Sequence, residues 1–178
     1  SNSTPKIRIK INSDFKFNKE TGDYQSNFNP DYGEKSSNRK VAKFLFIDQI
    51  SGKGRAIEIM IVELLAPNWE FKSNIFPIKD PFSKGTVKMQ GQNYQYCIFA
   101  ERTPDDILLI KGIGKLVGGR GNAIMVIYYI EQVTGDWSNF NRLTSEQKKQ
   151  LDEFIEDSEK GFTILEYKAP TSTPSNPE

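Results

Sequence analysis

Apolar and polar residues alternate at period two over most of the chain, the spacing of half-buried β-strands. Ile7, Ile9 and Ile11 share one face of the run 6–11, and Phe15 and Phe17 repeat the pattern after a polar break. From Lys40 the series becomes regular. The runs 40–50 and 55–65 flank Ser-Gly-Lys-Gly, whose glycines suit a tight hairpin. The runs 86–90 and 94–101 flank a turn at Gly91, Thr-Pro-Asp-Asp at 103–106 makes the next turn, and 107–117 and 123–133 flank a glycine-rich turn. Residues 69–76 read as a further strand and 77–85, with two Pro, as a loop. Short connections place sequence neighbours side by side, so the pattern predicts an antiparallel up-and-down meander of about eight strands. The segments 59–65 and 123–130 are apolar on both faces, which predicts central strands covered on both sides.

One segment changes to helical spacing. Thr144 and Gln147 form a capping-box pattern, and Leu151, Phe154, Ile155 and Ser158 follow as a narrow stripe. Gly161 stands where a left-handed C-terminal cap belongs, and 162–167 resumes alternation. The fold class expected is therefore mainly antiparallel β (α+β): a barrel-like or strongly curved sheet, one amphipathic helix over 144–160, then a last strand. A single globular domain is expected over 1–168, containing a long irregular segment at 18–38, with a flexible Pro/Ser/Thr tail at 169–178. This order of elements is similar to that of calycin-type barrels and of some small envelope lipoproteins. The GxW signature of a lipocalin is absent near the start, and a likeness of layout carries no function with it. It does prompt one expectation about compartment: an exported or envelope-attached domain, the soluble part of a lipoprotein.

Composition narrows the chemistry. The 178 residues include no His and a single Cys. That excludes a Ser-His-Asp triad, a Cys-His pair, an HExxH zinc site, an intrachain disulfide and any CxxC motif. Cys97 itself reads as a packed strand residue. Neither metal nor cofactor is expected, and no run reaches the ~18 apolar residues of a membrane span. The net charge of +1 hides a split: 19 basic and 13 acidic residues over 1–130, then 5 basic and 10 acidic over 131–178. Such a split suits an acidic helix lying against a mildly basic sheet.

The sharpest local feature is Lys111-Gly-Ile-Gly-Lys-Leu-Val-Gly-Gly-Arg-Gly-Asn-Ala123, with five glycines and three cations. Backbone amides and cations together could cradle a phosphate. The spacing matches neither GxxxxGK[ST] nor GxGxxG, since Val117 takes the place of the third glycine. A glycine-rich bend or bulge with Arg120 at a hairpin tip is the plainer account. Carboxylates such as Glu58 and Glu63, an odd number apart, point to opposite faces of one strand.

The first functional reading is thus a non-catalytic binding domain for a small ligand or a protein, with Trp69, Phe82, Arg102 and Arg120 at loop ends as contacts. The alternative is a single-stranded nucleic-acid binder that uses a basic aromatic sheet of Lys88, Tyr94, Tyr96, Lys111, Lys115 and Arg120. An enzyme with carboxylate or lysine chemistry ranks below both.

Overall fold

The computed structural model describes residues 7–21, 26–28, 37–65, 70–71, 74–117 and 121–165. These residues form β1 (Arg8–Ile11), β2 (Phe15–Thr21), β3 (Ser26–Phe28), β4 (Ser37–Asp48), β5 (Arg55–Leu64), β6 (Ser83–Met89), β7 (Gln92–Arg102), β8 (Ile107–Val117), β9 (Ala123–Val133), α1 (Ser145–Gly161) and β10 (Phe162–Leu165). The fold is mainly antiparallel β with one helix near the C-terminus followed by a strand, as the periodicity predicts.

The large sheet runs β2-β4-β5-β9-β8-β7-β6, with β3 beside β4, while β1 and β10 pair separately. Two blocks of this order are meanders, β4-β5 and β6-β7-β8-β9. They join through β5 and β9, in register from Arg55↔Glu131 to Glu63↔Ala123. The strands depart from a single up-and-down meander at one connection: β5 neighbours β9 instead of β6, so the chain between them must cross a face of the sheet. Among the described residues the sheet does not close into a barrel, because β2 and β6 end it on opposite sides. The physical reason lies in β5 and β9, which are apolar on both faces and so occupy the middle, where two layers cover them.

Alternation sorts the side chains between those layers. Ile57, Ile59, Ile127 and Tyr129 face α1 and the β1–β10 pair, sharing a core with Leu151, Phe154 and Ile164. Cys97 and Val126 face the other way, under Phe76, Ile75 and Ile78 of the crossing segment. That segment overturns the strand expected at 69–76: residues 70, 71 and 74–76 join no ladder, and Trp69 and positions 72–73 lie outside the described residues. The irregular segment expected at 18–38 is likewise partly strand, since β2 reaches Thr21, β3 spans Ser26–Phe28 and β4 begins at Ser37. Its other positions, and the tail 169–178, lie outside the described residues.

The helix starts as its sequence dictates. Thr144 Oγ1 accepts from the Gln147 amide at 3.2 Å, and Gln147 Oε1 accepts from the Thr144 amide at 3.0 Å. Its end differs from expectation. Gly161 closes the helix without a left-handed φ, and Phe162 follows in extended conformation. The glycine is needed for proximity: a Cβ there would lie 2.9 Å from two ring carbons of Tyr129.

Candidate functional site

The limb of the sheet formed by β6, β7 and β8 reaches past α1, and the last turns of the helix stand over it. Between them lies a groove of about 480 Å³. Val87 and Met89 from β6, Ile98 from β7 and Ile113 from β8 make its floor; Ile155 of α1 and Phe162 of β10 make its wall. These positions follow from strand parity, because Val87↔Tyr94 and Ile98↔Lys111 put odd residues of β6 and β8 on the same face as even residues of β7.

Polar groups, Ser83, Thr86, Tyr96, Lys111, Ser158 and Glu159, border this apolar floor. Lys111 is 9% exposed, and its Nζ lies 3.5 Å from Oε1 of Glu159, which is 68% exposed at the groove mouth. Burial pulls the Lys111 ammonium below its usual pKa, and Glu159 restores only part of the shift. A cation held this way is under-neutralised. The Tyr96 ring lies across Gly85, where a Cβ would come within 3.0 Å of Cε1, and its hydroxyl is 3.3 Å from Ser83 Oγ. Ser158 is buried, and its hydroxyl donates to the Ile155 carbonyl.

A second cavity, of about 420 Å³, lies on the opposite face where Lys19, Arg39, Lys43 and Glu58 surround Val41 and Leu45. Lys43 and Glu58 pair at 3.4 Å, and the lysine is nearly half exposed, so water competes for these charges. A third cluster holds the fold together. Arg55 donates through Nε to Glu131 at 2.9 Å and through its terminal nitrogen to Asp157, joining β5, β9 and α1. The acidic helix therefore meets the basic sheet through Arg55–Asp157, Lys53–Asp157 and Lys111–Glu159.

The residues singled out from sequence are dispersed. Trp69 and Arg120 lie outside the described residues. Phe82 packs its ring against Trp137 at 6.2 Å, and Arg102 is exposed at the end of β7, adding a small attraction to the Ser138 hydrogen bonds that hold the Asp136 carboxyl below its ordinary range. Of the nucleic-acid set, Tyr96 and Lys111 meet in the groove. Lys88 projects from the opposite face of β6, while Tyr94 is 2% exposed with the Lys115 ammonium 5.3 Å from its ring centre. Ser83, Val87, Met89, Ile155, Glu159 and Phe162 were not anticipated. One signal was present: Lys111 interrupts a strand face on which Leu109 and Ile113 are core.

The glycine run has no cradle in its strand part. Gly112 and Gly114 lie in continuous register, and they make room for Phe76 and Ile75 of the crossing segment. Among the described residues no group of three or more Cys, Asp or Glu is placed to hold a metal, and no helix is long and apolar enough to cross a membrane. No family model, curated protein or solved structure matches this chain.

Proposed function

We propose that this chain is a non-catalytic binding domain that takes a small amphipathic molecule into the groove beneath α1. One observation carries the reading: a buried lysine stands beside the apolar floor of a groove of about 480 Å³, open to solvent, with its ion-pair partner on the exposed helix surface. Groove size and composition match small-molecule sites, where apolar walls supply affinity and a few polar groups fix orientation. The apolar body would lie along Val87, Met89 and Ile113, and the polar head would meet Lys111, Tyr96 and Ser83. Ser83 is paired with Tyr96, Ser158 donates to the Ile155 carbonyl and Lys111 donates to Glu159, so neither serine is bonded to a base that could activate it, which favours binding over acyl transfer. The nucleic-acid reading receives less support, since a stacking platform needs open rings and Tyr94 is buried.

Titration with Nile red, an uncharged apolar dye, tests this. Emission should rise and shift to the blue with one site per chain, and Met89→Trp, which places a ring over the groove floor, should abolish it without lowering the melting temperature. Dye binding unchanged by Met89→Trp would remove the groove from consideration.

A further inference from the structure

We infer that the groove's ligand is a single-chain carboxylate, and that Glu159 occupies the place of its headgroup until the ligand exchanges with it. The inference rests on the proposed binding function and names the ligand's chemistry. The polar side chains that reach the groove from the sheet can all donate: the Lys111 ammonium has three donors and no acceptor, and Tyr96, Ser83 and Thr86 add hydroxyls. What such a set lacks is an anion. An ammonium this deep requires a negative partner, and among the described residues that partner comes from the rim.

The Lys111–Glu159 contact has the features of an exchangeable partner. At 3.5 Å it is long for a charge-assisted hydrogen bond. The glutamate is 68% exposed, so releasing it to water costs little, whereas Lys111, at 9%, cannot follow it out. An incoming carboxylate would keep the charge balance of the groove unchanged while burying its chain on Val87, Ile113 and Ile155. The volume of about 480 Å³ is that of a drug-sized molecule and fits one chain.

Decanoate and decanol, compared below their aggregation limits by displacement of Nile red, separate headgroup from chain. The unaltered protein should bind decanoate about tenfold more tightly than decanol, equivalent to about 1.4 kcal/mol. Lys111→Met should level the two by weakening decanoate alone, and Lys111→Arg should keep the preference. Glu159→Gln should strengthen decanoate severalfold and leave decanol unchanged. Decanol binding as tightly as decanoate would sink the carboxylate assignment while leaving the groove reading intact. A preference that survives Lys111→Met would place the headgroup elsewhere, and decanoate affinity indifferent to Glu159→Gln would refute the exchange. Binding of neither probe would overturn both readings, as would dimers that exclude both, since the groove would then belong to a second copy of the chain.

Discussion

Replacing Gly112 by alanine isolates the contact that seats the crossing segment on the sheet. Its Cβ would lie 2.5 Å from Cε1 and 3.0 Å from Cζ of Phe76, with Tyr128 Cε1 at 3.1 Å. Carbon atoms rest at about 3.5–4.0 Å, so the Phe76 ring must retreat by about 1 Å. It has little room to do so, being 6% exposed and packed edge-on to Tyr128 at 6.3 Å. Overpacking of this kind costs about 1–3 kcal/mol. In a chain of this length each kcal/mol lowers the melting temperature by about 2–4 °C. Phe76→Leu removes the ring tip that causes the clash, at a cost below the ~3–5 kcal/mol of full truncation to alanine. In that background Gly112→Ala should be nearly neutral. Gly112 has no positive φ, so alanine recovers about 0.4–1 kcal/mol by restricting the unfolded chain. Urea denaturation of the four proteins, followed by tryptophan fluorescence and circular dichroism, gives the coupling energy directly. The two substitutions should offset each other by at least about 1 kcal/mol. If Gly112→Ala costs the same in the Phe76→Leu background as in the unaltered protein, the glycine does not serve this contact and the account of the run is wrong.

Three further outcomes follow from the same reasoning. Arg55→Met leaves Glu131, 7% exposed, without its cation, and should cost about 3–5 kcal/mol in urea melts; Arg55→Met with Glu131→Leu should recover most of it. Because Lys111 has a lowered folded pKa, the unfolded chain binds more protons between that value and the ordinary 10.5. Its destabilising effect is therefore complete below that value and fades as pH rises through that window, so the stability advantage of Lys111→Met should be largest below the window and vanish near pH 10.5. A stability gap independent of pH would contradict this. Thr144→Ala removes the side-chain acceptor of the capping box and should cost about 1 kcal/mol, read from thermal melts at the helix band; Thr144→Asp should not.

Much of the fold was legible because it is local. Hairpins β4–β5, β6–β7 and β8–β9 announce themselves by turn glycines between alternating runs, and α1 announces itself by Thr144 and Gln147. The central place of β5 and β9 was legible too, from faces that are both apolar. Their pairing was not, since Arg55↔Glu131 joins residues that no turn connects, and turn chemistry says nothing about which strand lies on the far side. Three glycines were opaque for one shared reason. Gly85, Gly112 and Gly161 each lie against an aromatic ring, of Tyr96, Phe76 and Tyr129 respectively. In two of the three pairs the ring comes from a distant part of the chain. A glycine required by such an approach looks in sequence like a bulge, a cap or a phosphate loop.

The groove was half legible, and the division has a physical cause. Lys111 on a core-facing parity is a local anomaly, visible in the run 107–117. Its significance depends on α1, which brings Ile155 and Glu159 over the sheet from more than forty residues away. Two acids of that helix, separated by one residue, play different parts. Asp157 meets Arg55, a cation already fixed by Glu131, so this end of the helix is clamped to β5 and β9. Glu159 meets a lysine that has no second acid among the described residues, at a longer distance and in solvent. The clamp sets the height of the helix above the sheet. With the height fixed, the exposed Glu159 side chain can leave Lys111 without moving the backbone, which is what the proposed exchange with a ligand carboxylate requires.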